Sequence, residues 1–182
     1  MARAYPHKRI RLWFMDETRI GQKGRLQRVW WQRGQRPRRA RDTRYGYVYL
    51  YGAFEPKTGR AFGLVLPRVN AEAMQVWLDA FADQLEPDEH AAVVLDGAAW
   101  HKEPTIRVPD GVTLIIQPPY APEVQPAESA WRVIKERDLS NKVFKTIEDV
   151  VNAVCCAWNR FIDDPGQVRS ATHYPWLKSI NL

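Results

Sequence analysis

The sequence predicts a single mixed α/β domain, on three observations. Short apolar runs suited to buried strands recur along the chain, and two of them end in aspartate. A tyrosine- and valine-rich hairpin follows the first run. Stretches with apolar residues every three or four positions then alternate with, and follow, the remaining runs. An antiparallel start joined through helical crossovers to parallel strands gives a mixed sheet with helices on both faces. The 182 residues, 45% hydrophobic and 26% charged, are enough for one real core and ordinary for a globular chain.

Residues 1–8 form a basic lead-in. The first strand is expected over Arg9–Met15, with Ile10, Leu12 and Phe14 alternating against Arg9, Arg11 and Trp13, and Asp16 closes it. A polar loop follows, then a short strand at Val29-Trp30-Trp31 and six arginines in the twelve residues from Arg33 to Arg44. Tyr45–Phe54 and Ala61–Leu66 form the hairpin, because Pro56 pre-sets φ and Gly59 is free to take positive φ between them. Asn70 caps a helix over Ala71–Leu85 whose Met74, Trp77, Leu78, Phe81 and Leu85 make one apolar face. The buried run Ala91–Leu95 ends at Asp96, a short helix is expected within Trp100–Arg107, and Val112–Ile116 is another strand. Pro126 suits the first position of a helix reaching about Arg137. Thr146 and Asp149 form a capping box for a last helix carrying Val150, Val154, Trp158 and Phe161 on one side. Residues 9–162 are thus the folded domain and 163–182 a loosely packed tail.

Twenty-seven basic against 21 acidic residues leave a net charge of +6, which suits a polyanionic partner. The only cysteines, Cys155 and Cys156, are adjacent and match no zinc spacing, so they read as core thiols of a reducing compartment. No apolar run is long enough for a bilayer and no signal core opens the chain, so no membrane partner is expected and the location is the cytoplasm, at the nucleoid.

Three carboxylates carry the chemistry. Asp16 and Asp96 end two strands, and parallel pairing of those strands would bring them together. Glu128 opens a helix 32 positions after Asp96. Two neighbouring carboxylates repel and raise a pKa unless a cation shares them. Magnesium takes hard oxygen ligands and leaves positions for substrate phosphates, so this set suits divalent-metal phosphoryl transfer. Glu128, Arg132 and Lys135 share one helix face, setting two cations beside the glutamate for a phosphate backbone. Each residue also has a plainer reading. Glu128 could merely cap its helix, and each aspartate could be a turn residue. Arg36, Arg38, Arg39 and Arg41 could contact phosphate or form a solvated loop; His101 and Lys102 could reach the scissile phosphate or simply be exposed, with a supporting role around the site favoured. Glu17 should point to the opposite side of the strand from Asp16, in a structural role. Trp100, Trp131 and Trp158 read as core, and Tyr45, Tyr47, Tyr49 and Tyr51 as packing on one sheet face.

LWFMDET, VLDGAAWHK and PPYAPEVQPAESAWRVIK, with WWQRGQRP at Trp30–Pro37, resemble the catalytic segments of DDE transposases, in particular the insertion-sequence branch of the Tc/mariner superfamily. The resemblance runs over roughly residues 9–162, departing at Gln125, where asparagine is usual, and at Ala121, where a small hydroxyl residue is usual. It implies a ribonuclease H-like fold, Mg²⁺ or Mn²⁺ as two ions on Asp16, Asp96 and Glu128, and cleavage and strand transfer at transposon ends. The partners it implies are DNA, a second copy of the chain as a homodimer, and a helix-turn-helix recognition segment encoded separately, since eight residues precede the first strand. The competing expectations are a catalytically silent or truncated remnant that only binds DNA, and a nuclease of the same fold.

Overall fold

The computed structural model describes residues 3–24, 26–35, 38, 43–101, 106–118 and 125–180. Five strands form one sheet in the order β3-β2-β1-β4-β5. They are β1 (Arg9–Gly21), β2 (Tyr47–Glu55), β3 (Arg60–Leu66), β4 (Glu89–Leu95) and β5 (Val112–Ile116). The β1–β2 and β2–β3 pairs are antiparallel, the β1–β4 and β4–β5 pairs parallel. Helix α1 (Ala71–Ala82) covers one face; α2 (Ala127–Ile134), α3 (Ile147–Ile162) and α4 (Pro165–Thr172) cover the other.

Alternation along β1 feeds two separate cores. Trp13 and Met15 meet Met74, Trp77 and Phe81 of α1, while Ile20 lies with Trp131, Val154 and Phe161 of the opposite layer. Asn70 accepts the Ala73 amide at 2.8 Å and caps α1, and the box at Thr146 and Asp149 opens α3 with reciprocal bonds of 2.9 and 3.0 Å. At the N-terminal end of β1 and β4, buried Glu89 accepts from Arg11 at 2.9 Å and Arg60 at 2.7 Å, and Arg11 also reaches buried Glu55 at 3.3 Å.

Several expectations need correction. β1 does not stop at Asp16. β2 pairs with it from Phe14 to Gly21, supplying backbone partners well past the aspartate. Val29-Trp30-Trp31 forms no strand, and Trp30 stands fully exposed. Helix α2 ends at Ile134 and widens into a π turn over Lys135–Leu139. A loose tail is expected over residues 163–182, but within the described residues to 180 α4 buries Val168 and Thr172, and Trp176 packs edge-on against Phe14 of β1. Cys155 is only half-buried and Cys156 exposed, so neither is a core thiol.

Two glycines decide how closely α2 and α3 approach the sheet. Asp16 pairs with Gly52 across β1–β2, and Gly52 with Gly63 across β2–β3, giving a row without side chains beside the aspartate. Trp131 and Trp158 lie over that row. A Cβ on Gly63 would come within 2.6 Å of the Trp158 ring, and one on Gly52 would overlap the Trp131 ring. Replacing Gly52 with alanine should therefore lower stability by about 1–3 kcal/mol, measured as a fall in urea midpoint at unchanged slope. An unchanged midpoint would mean that Trp131 can shift freely.

Candidate active site

β1 and β4 run in parallel with Phe14 opposite Val94, the last pair of the ladder; Asp16 follows two residues later within β1, and Asp96 is the first residue after β4. Asp16 is partly buried, and the Trp131 indole N–H donates to its Oδ2 at 2.8 Å. Because Trp131 lies three positions after Glu128 on α2, this bond brings the glutamate's helical turn over the aspartate. Burial, chiefly, pushes the Asp16 carboxyl up to about 7; the Trp131 bond opposes the rise, and the charges of Glu17 and Glu128 add to it. Glu128 itself is exposed at the start of α2, in a cleft of about 310 Å³ shared with Arg132 and Lys135. As expected from helical spacing, Ala127, Ala130, Trp131 and Ile134 form the buried face of α2.

Asp96 is held differently. Its carboxylate is 59% exposed and accepts the Ala98 amide at 3.0 Å through Oδ1. The same oxygen lies 2.8 Å from His101 Nδ1. On its other side the imidazole donates from Nε2 to Glu17 Oε1 at 2.7 Å, and the Trp100 indole N–H reaches that oxygen at 3.2 Å. Burial disfavours a charged ring, but the Glu17 hydrogen bond and charge and the Asp96 contacts outweigh it, so His101 is raised above its ordinary value. His101 is 2% exposed with both nitrogens engaged, which rules it out as a direct phosphate contact. It braces Asp96 from behind instead. Glu17 does face away from Asp16, as strand alternation requires.

The three carboxylates thus stand on adjoining elements on one side of the fold, but their side chains do not converge. Among the described residues no three histidine, cysteine, aspartate or glutamate side chains are grouped closely enough to hold a metal ion. The donor set itself fits a hard divalent cation, being all carboxylate oxygen with one member whose burial, chiefly, raises its pKa.

Two contributors escaped sequence reasoning. Gln125, where asparagine is usual in the resembled family, is buried, and its amide crosses to β1 to donate to the Met15 carbonyl at 3.0 Å, next to Asp16. The hydroxyls of Ser129 and Tyr174 are 2.8 Å apart, tying the C-terminal segment to α2. Only the five-residue spacing of Asp96 and His101 offered a clue to the brace. Of the basic residues expected to meet DNA, Arg38 and Arg132 are exposed and Lys135 half-buried; Arg36, Arg39, Arg41 and Lys102 lie outside the described residues.

The raised Asp16 pKa sets a pH dependence. The folded state keeps a proton that the unfolded chain releases from about pH 4, so stability falls as pH rises toward 7. In EDTA, Asp16→Asn should remove this slope, gaining on the order of 2–4 kcal/mol at most over the native chain at pH 8 relative to pH 4. Urea unfolding at both values measures it; parallel pH profiles would refute a buried, raised carboxyl.

A model of the DDE superfamily endonucleases matches residues 11–151. An uncharacterized protein of Sinorhizobium fredii (strain NBRC 101917 / NGR234), y4pE/y4sA, is 38% identical over 130 residues, covering 71% of this chain and 96% of its own. Among solved structures, the Mos1 strand transfer complex aligns with a TM-score of 0.64 at 17% identity, over 90% of this chain and 50% of that one. The Mos1 mariner paired end complex with Mn aligns at 0.67 and 18%, over 90% and 52%. The chain spans about half the length of these Mos1 chains, and the shared fold is ribonuclease H-like.

Proposed function

Because the chain belongs to the DDE superfamily endonucleases, we propose that it is a transposase catalytic domain that cleaves and joins DNA at insertion-sequence ends, using Asp16, Asp96 and Glu128. The observation that carries this reading is the Trp131–Asp16 bond, which joins the Glu128 turn of α2 to β1, the strand that pairs in parallel with β4, whose last residue precedes Asp96. Three carboxylates from three elements, around a negatively charged and partly buried centre, suit Mg²⁺ or Mn²⁺. Two such ions would activate the attacking oxygen and stabilise the leaving one.

The chain's own residues supply placement. Trp131 fixes Asp16, and the Glu17–His101 brace limits the orientations of Asp96. Gln125 ties the entry of α2 to β1, so that Glu128 keeps its height above the sheet. Arg132 and Lys135, on the exposed side of the same helix, offer charge to the backbone of the strand being cut. No helix among the described residues is long and apolar enough to cross a membrane, and the DNA substrate sets the working site in the cytoplasm at the nucleoid. The partners in this reading are DNA at the transposon ends, a second copy of the chain, and a separately encoded helix-turn-helix protein for end recognition.

Asp96→Asn and Glu128→Gln should each abolish Mg²⁺- or Mn²⁺-dependent nicking of element-end DNA while leaving DNA affinity within a few-fold. Undiminished nicking by either variant would remove these residues from catalysis; DNA that the native chain binds but never nicks would favour the silent remnant. Independently of turnover, Mg²⁺ at a hundredfold excess over its dissociation constant should stabilise the native chain by about 2.7 kcal/mol. Asp96→Asn should lose most of that gain in calorimetry.

A further inference from the structure

A basic concavity lies beyond the carboxylates, where β1 ends and β2 begins. It is a cleft of about 480 Å³ lined by Arg19, Lys23, Arg44 and Lys135 among others, and none of the described residues lining it is acidic. Arg44 is fixed in place by donating to the carbonyls of Phe144 and Lys145. At the rim stand two tyrosines that strand periodicity had assigned to packing. Tyr49 and Tyr51 do pack, but Tyr45 is 74% exposed and Tyr47 44%. Each carries a cation near its ring: Lys23 Nζ is 4.8 Å from the Tyr45 centroid, and the Arg19 guanidinium 5.1 Å from that of Tyr47.

Lys135 joins this cleft to the site, because it also lines the smaller cleft that holds Glu128 and Arg132. Along β1, Arg19 is three residues beyond Asp16, about 10 Å at strand rise, and strand alternation turns its side chain to the opposite face of the sheet. Along the α2 axis, Lys135 is seven residues beyond Glu128, again about 10 Å. That span is about three nucleotides of one strand at duplex spacing.

We propose that this cleft is a binding channel for single-stranded DNA, holding the strand roughly three nucleotides from the phosphate at the carboxylates. The cations would take backbone phosphates, and Tyr45 and Tyr47 would stack on unpaired bases. Exposed tyrosine rings favour a single strand over a duplex because duplex bases already stack on each other, whereas unpaired bases have free faces. This role rests on reading the chain as a DNA-processing domain, yet it needs neither metal nor cleavage.

The test is fluorescence anisotropy in EDTA with a labelled twelve-nucleotide oligothymidylate and, in parallel, a mixed-sequence twelve-base-pair duplex. The double substitution Tyr45→Ala/Tyr47→Ala should weaken oligothymidylate binding about tenfold or more and change duplex binding less than twofold. Tyr45→Phe/Tyr47→Phe should bind like the native chain, since stacking needs the ring and not the hydroxyl. Arg19→Ala and Lys23→Ala should each flatten the salt dependence of oligothymidylate binding by about 0.7 in log–log slope. Asp96→Asn should bind the oligonucleotide as the native chain does, so a failed cleavage assay would leave this result standing. Oligothymidylate affinity within twofold of native in the double alanine variant, or an equal loss for the duplex, would overturn the proposal.

Discussion

The contact on which this architecture turns is the Trp131 indole lying on glycine, with its N–H directed at Asp16. A carboxyl in the middle of a strand, between two packed layers, is costly to charge unless something polar meets it. The tryptophan meets it because Gly52, the cross-strand neighbour of Asp16, has no side chain to hold the ring away. One residue type thus serves packing and electrostatics together: the ring closes the layer between α2, α3 and the sheet, and the nitrogen sets the distance between helix and carboxylate. Glu128 inherits its place from that distance. It has no hold of its own on the sheet and depends on Trp131 one turn later and Gln125 just before.

β1 separates two kinds of carboxylate by alternation alone. Asp16 faces the α2 layer, where its neighbours leave it poorly neutralised. Glu17 faces the α1 layer, where an imidazole and an indole neutralise and bond it. The second carboxylate reaches back to the site only through His101, whose ring spans Glu17 and Asp96. Adjacent acids in sequence therefore act at two removes from each other in space, one at the centre and one as its support.

Much of the fold was legible because its signals are local. The hairpin announced itself through Pro56 and Gly59, α3 through its capping box, and β5 through an apolar run whose ends match the observed strand. Asn70 bonded as its residue type suggests. What failed were expectations that depend on distant partners. β1 outlasts its apolar pattern because β2 pairs with its polar half, which no periodicity in β1 reveals. α4 looked like a tail because its single strongly buried aliphatic, Val168, makes no pattern by itself. At the site, strand register and helix phase were readable, but the orientation of each carboxylate was not. That depends on Trp131, His101 and Gln125, which reach their partners across 115, 5 and 110 positions of chain.

The ion cluster of Glu89, Glu55, Arg11 and Arg60 sits at the opposite pole of β1 from the aspartates. Five residues of strand, about 17 Å, separate Arg11 from Asp16. Ion pairs at that end can therefore be strengthened or lost without moving the indole that meets Asp16, whereas a change at Asp16 itself is felt at once in the packing of α2 on the sheet.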